Sequence, residues 1–103
     1  MAKTTTKYGI RTEHWKAMLS ILKSNPLVSE VIIYGSRAKG NYRPGSDIDI
    51  CLKGSELTQS DINSLMTKLD ELNLPWIVDL TGYNIITNTD LIEHIERVGI
   101  RLA

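Results

Sequence analysis

The sequence predicts a single α/β (α+β) domain, a small mixed β-sheet with helices packed against it. Three observations carry this. A chain of 103 residues has room for one domain and one modest core. Its apolar residues fall into short β-branched runs of strand type and i, i+3, i+4, i+7 stripes of helix type. The segments follow one another in the order αβ(α)βαβα, with no internal repeat, low-complexity stretch or linker.

Residues 1–7 are polar and threonine-rich, and are expected to be frayed and flexible at the edge of a domain spanning residues 1–103. Thr12 can cap a first helix that buries Trp15, Met18, Leu19 and Leu22. Asn25-Pro26 stops it. Residues 30–34 are β-branched and mostly apolar, a buried strand. Residues 36–40 suit a short helical turn, and residues 41–46, with Pro44 and Gly45, a loop. Residues 47–52 form a second strand, with Ile48, Ile50 and Leu52 on one face and Asp47, Asp49 and Cys51 on the other. Thr58 with Asp61 resembles a capping box, before a helix that turns Ile62, Leu65, Met66, Leu69 and Leu72 inward. Residues 76–80 form a third strand, with Trp76, Val78 and Leu80 facing one way and Ile77 and Asp79 the other. Asn88 or Thr89 caps a last helix with Leu91, Ile92, Ile95 and Val98 inward and Gly99 at its end.

The composition removes several classes of function. Twelve Lys and Arg balance twelve Asp and Glu, so there is no strong nucleic-acid signal of the kind a clustered basic face would give. No apolar run is long enough to span a membrane. Cys51 is the only cysteine, which forbids an internal disulfide and fits a cytoplasmic location.

Chemistry concentrates between residues 34 and 50. Val31-Ile32-Ile33-Tyr34 ends in Gly35-Ser36, and a Gly-Ser turn at the end of a buried strand exposes backbone N–H groups suited to phosphate. Ser46-Asp47-Ile48-Asp49 opens the next strand, and carboxylates at alternate positions share a face. A phosphate cradle beside paired carboxylates is the layout of a metal-dependent phosphoryl or nucleotidyl transfer site. Asp79 is a third acid, set in an apolar strand where it needs a pairing, a hydrogen bond, a metal or an edge that reaches water. An isolated Asp-x-Asp is more often a solvated strand start, and Gly-Ser is also ordinary turn chemistry. Arg37, Lys39 and Arg43 could neutralise phosphate charge or remain surface charge. His14 and His94 lack paired ligand spacing and read as solvated or partner-facing. Cys51 reads as a small buried hydrophobe. Tyr34, Tyr42 and Tyr83 could stack on a base, or serve core and surface.

The spacing adds a specific resemblance. Gly35-Ser36-Arg37-Ala38-Lys39-Gly40, five residues, then Ser46-Asp47-Ile48-Asp49 resembles the signature of the DNA polymerase β-like nucleotidyltransferase superfamily. Within it the chain looks like the minimal nucleotidyltransferases. Lys39 stands where Arg is common, and Ile50 where Leu is common. The resemblance implies the polymerase β-like fold and Mg²⁺-dependent transfer of an NMP from an NTP, ATP being the expected one, to an acceptor hydroxyl with release of pyrophosphate. It implies two Mg²⁺ ions on Asp47, Asp49 and Asp79, with Asp79 helping to activate the attacking hydroxyl. Gly35, Ser36, Arg37 and Ser46 would bind the nucleotide, Arg37 also being able to tie the loop down. It further implies a small all-helical partner protein, either a HEPN toxin for which the chain is the antitoxin or a substrate-binding subunit. A homodimer would cover the same surface less specifically. A non-catalytic nucleotide- or partner-binding module is the competing reading.

One expectation concerns register. Asp47 and Asp49 open their strand, whereas Asp79 sits near the end of residues 76–80. At about 3.3 Å per residue, level parallel pairing would separate the acids, so adjacent antiparallel strands are expected.

Overall fold

The computed structural model describes residues 6–103. It opens with a hairpin in which β1 (Thr6–Lys7) pairs antiparallel with β2 (Ile10–Arg11). The two-residue turn between them holds Tyr8 and Gly9 at φ values of 55° and 78°. Thr6 and Lys7, expected to fray, are thus tied into a ladder, and residues 1–5 lie outside the described residues. Helix α1 (Thr12–Lys23) follows directly. Its N-cap is Arg11, whose side chain makes no capping bond, so Thr12 is the first helical residue and not the cap. Trp15, Met18 and Leu22 are buried as the stripe requires.

Strand β3 (Glu30–Tyr34) runs into a five-residue helix, α2 (Gly35–Lys39), which Gly40 ends in the left-handed conformation. After the loop come β4 (Ile48–Lys53), α3 (Gln59–Asp70), β5 (Val78–Gly82), a single 3₁₀ turn (Tyr83–Ile85), α4 (Thr89–Val98) and β6 (Ile100–Arg101). The capping box forms at Thr58 and Asp61, and Asn88, not Thr89, caps α4.

The four-stranded sheet has the order β5-β4-β3-β6. β3 is antiparallel to both β4 and β6, while β4 and β5 are parallel. The antiparallel expectation for the acid-bearing strands is therefore corrected. Helix α3 is the crossover that parallel neighbours need. Strand β5 also starts two residues later than the apolar run suggested. Ile77 is 71% exposed, and Trp76 donates from Nε1 to the Pro44 carbonyl at 3.0 Å. Asp79 thereby becomes the second residue of β5, level with Asp49, the second residue of β4.

The sheet separates two packed clusters. Ile48, Ile50 and Leu52 join Val31, Ile33 and Leu80 beneath α1 and α3. On the opposite face Ile32, Tyr34 and Cys51 meet Ile95 of α4, with Leu91 and Val98 alongside. Among the described residues no helix is long and apolar enough to cross a membrane.

Candidate active site

The candidate site lies on the α4 side of the sheet. Residues level with each other on adjacent strands point to the same face. Asp49 is level with Asp79 on one side and Tyr34 on the other, so these three side chains form a row across β5, β4 and β3. Asp47 stands just before β4, two residues from Asp49, and is exposed, as is Asp79.

Asp49 is half-buried. Burial raises its carboxyl above the ordinary value of 3.8, the Asp79 and Asp47 charges raise it further, and His94 partly opposes them. Tyr34 is buried beside it, and its hydroxyl holds its proton more tightly than usual, first through burial and then through the Asp49 and Asp79 charges. Cys51, next along the same face, is fully buried and pushed up to about 11, mainly by burial, so its thiol is inert.

Gly35 has φ 72°, and a Cβ there would run into Oδ2 of Asp49. The Gly-Ser turn is therefore packed against the Asp49 carboxylate. Only glycine tolerates both the conformation and the approach. Ser36 is half-buried, and Ser46 accepts at Oγ from the Arg43 backbone N–H at 2.9 Å.

Arg37, expected at the nucleotide, is instead buried among backbone carbonyls. Its side chain is 1% exposed. The guanidinium donates to the carbonyls of Tyr8 at 2.8 Å, Pro44 at 3.0 Å and Ser46 at 2.9 and 3.1 Å. Tyr42 and Trp76 stack on it at 4.9 and 5.7 Å. These contacts are of the kind the alternative expectation, tying the loop down, calls for. Lys39 and Arg43 stay exposed. Tyr83 donates to Glu96 at 2.6 Å beneath Lys53, away from the acids.

His94 was legible only as a helical histidine. The fold sets its ring edge-on to Tyr34 at 6.0 Å and within electrostatic reach of Asp49. No local signal in the sequence links α4 to the second residue of β4. His14 packs on Trp76 at 5.3 Å instead, remote from the acid row in its contacts, with its Nδ1 buried and unbonded.

The acids suit a hard divalent cation. Among the described residues the carboxylates of Asp47, Asp49 and Asp79 make no hydrogen bond or ion pair with another side chain or with the backbone. A half-buried carboxylate raised by like charges is relieved by a cation. Among the described residues, however, no three His, Cys, Asp or Glu side chains converge into a ready metal cage. A cage of three is not required by Mg²⁺, which takes one or two carboxylates and completes its shell with water and substrate phosphates.

Comparison with known proteins agrees with this fold. No curated protein sequence matches the chain significantly. Solved structures do. A chain of a toxin–antitoxin complex with AMP-PNP superposes with a TM-score of 0.72 at 24% identity, over 85% of this chain and 71% of that one. A chain of a mutant MntA–HpeT toxin–antitoxin gives 0.71 at 25% identity, over 86% and 71%. A chain of the complex between a tri-AMPylated Shewanella oneidensis HEPN toxin and its MNT antitoxin gives 0.68 at 22% identity, over 88% and 70%. The model of the family described as polymerase beta, nucleotidyltransferase, matches residues 16–103, which takes in the Gly-Ser turn and all three acids. With that match across most of its length, the chain belongs to the polymerase β nucleotidyltransferase family and is a nucleotidyltransferase.

Proposed function

We propose that the chain transfers an NMP, AMP from ATP in the first instance, to an acceptor hydroxyl on a small helical partner of HEPN type, releasing pyrophosphate. The observation that carries this is the level pairing of Asp49 with Asp79, beside Asp47 and against the Gly35 turn. Asp47 and Asp49 would hold one Mg²⁺ and Asp49 with Asp79 a second. When bound, the ions would neutralise triphosphate charge and make the acceptor hydroxyl easier to deprotonate. Asp79, exposed at the edge strand, accepts the proton of that hydroxyl. The acceptor oxygen bonds to the α-phosphorus as the bond to the pyrophosphate oxygen breaks. The backbone N–H groups and hydroxyl at Gly35 and Ser36 hold the departing phosphates. The Ser46 hydroxyl, which accepts from Arg43, keeps its own proton to donate to the nucleotide.

The complexes of similar fold support the partner, since one pairs an AMPylated HEPN toxin with an MNT antitoxin. A domain this small also has few walls with which to fix an acceptor. The test is co-expression with the adjacent gene product, followed by labelling with NTP carrying radioactive α-phosphate and mass spectrometry. One AMP per modified hydroxyl is expected on the partner, with labelling slowed about 10²–10³-fold in Asp49→Asn. Equal transfer by the isolated chain to unrelated acceptors would overturn the partner requirement. Nucleotide binding with no transfer under any condition would leave a binding module, and a partner that proves to be a second copy would replace the helical one.

A further inference from the structure

The hairpin at residues 6–11 precedes the stretch that the family model matches, residues 16–103, yet it reaches the loop that presents Asp47. We propose that the turn at Tyr8 and Gly9 is a positioning element of the active site, setting Asp47 through Arg37. The inference rests on Asp47 being a working carboxylate, as in the reading above.

A guanidinium has five N–H donors and no acceptor, and burying it is costly unless those donors are met. Among the described residues Arg37 has no carboxylate partner and is held by carbonyls instead. Two of its nitrogens grip the Ser46 carbonyl, the last before Asp47. One of these also holds Pro44, which Trp76 grips from its Nε1. The remaining terminal nitrogen, Nη1, is met by the Tyr8 carbonyl, 29 residues away in the chain. Without that carbonyl the group loses its third anchoring direction, and the Ser46 peptide is free to shift with Asp47 attached.

The turn is built for this approach. Positive φ at both central residues of a two-residue hairpin is the I′ geometry, which Gly favours at the second position. A Cβ on Gly9 would lie 2.5 Å from Tyr42 Cε2 and 2.9 Å from Arg37 Nη1. Backbone thus packs directly on the Tyr42–Arg37–Trp76 stack, with no room for a side chain between.

The experiment is amide hydrogen exchange, with transfer kinetics on the same samples. In wild type at low denaturant, hairpin amides and the Arg43 and Ser46 amides of the loop should open in one common step. In Gly9→Ala the loop amides should lose protection while β4 keeps its own, and kcat should fall by up to about a hundredfold, the scale of a 1 Å misplacement. Thr58→Ala, which weakens the fold at a distant cap, should lower Tm without either effect. A hairpin that opens while the loop stays protected would overturn the proposal, and the wild-type measurement decides it even if Gly9→Ala does not fold. Loop loosening in a protein whose wild type transfers nothing would overturn the transfer reading, and with it the active-site role of the hairpin, while leaving the mechanical coupling of hairpin to loop established.

Discussion

The two faces of the sheet do different work, and β4 belongs to both. Toward α1 and α3 it presents Ile48, Ile50 and Leu52, each fully buried. Toward α4 it presents Asp49 and Cys51, and here burial is incomplete, because α4 covers Ile32, Tyr34 and Cys51 but leaves the acid row open at its end. One face gains stability from apolar burial. The other holds like charges together at a cost to stability. A period of two lets one six-residue strand serve both needs. The comparison predicts that substitutions on the two faces separate stability from activity.

The largest effect belongs to the apolar face. Ile50→Ala should destabilise the fold by about 2–5 kcal/mol, through lost transfer energy and the cavity left behind. The acids do not touch that cavity, so below its lowered Tm the variant should still bind Mg²⁺–ATP with near-normal affinity by calorimetry. A selective loss of nucleotide binding in a folded Ile50→Ala protein would break the separation.

Asp49→Asn should do the reverse. Removing one preorganised charge from a transfer site costs about 10²–10³-fold in rate. The tighter ATP binding seen with Mg²⁺ than with chelator should shrink as well. Stability should rise. A carboxyl raised in the fold stabilises it only while protonated, fully below the ordinary value of 3.8, and that contribution is lost as pH climbs through the raised value. In metal-free buffer the Tm of wild type minus that of Asp49→Asn should therefore become more negative as pH rises through that window. A flat difference would mean that Asp49 is not in the crowded acidic setting described.

Gly35→Ala tests the seam between the faces. An L residue at φ 72° costs roughly 1–2 kcal/mol, and the new methyl pushes on Asp49 Oδ2. Tm and Mg²⁺–ATP affinity should fall together, unlike either change above. Normal affinity would separate the turn from the acid.

What the sequence made legible was local. The run at residues 30–34 carries its own β-branched signal, and Thr58 with Asp61 carries its own capping chemistry, so both formed as read. The Gly-Ser and Asp-x-Asp elements were legible because their spacing is a motif. What failed was long-range. The two-residue strands β1, β2 and β6 exist only through their partners. The parallel register depended on whether β5 starts at Trp76 or Val78, and Trp76 is drawn off by Pro44, 32 residues distant. The burial of Arg37 was not legible either, because nothing nearby in the chain announces the carbonyl of Tyr8.

The smallest expected effect compares the helices that cover the two faces. Helix α3 begins with the Thr58–Asp61 box over the apolar core, and α4 begins with Asn88, whose side chain accepts from the Asp90 and Leu91 N–H groups beside the acid face. Losing either cap costs about 1 kcal/mol, or roughly 4–8 °C in Tm for a domain of this size. The Tm losses for Thr58→Ala and Asn88→Ala should thus be similar. Their functional effects should differ, because α3 packs on the apolar face of the sheet whereas α4 carries Ile95 onto Tyr34 and sets His94 within electrostatic reach of Asp49. Fraying the first turn of α4 loosens that wall, so Asn88→Ala should raise the KM for ATP several-fold and leave kcat nearly unchanged, since no acid moves. Thr58→Ala should change neither. Equal kinetics for the two variants, at matched loss of Tm, would show that α4 supports the sheet without shaping the site.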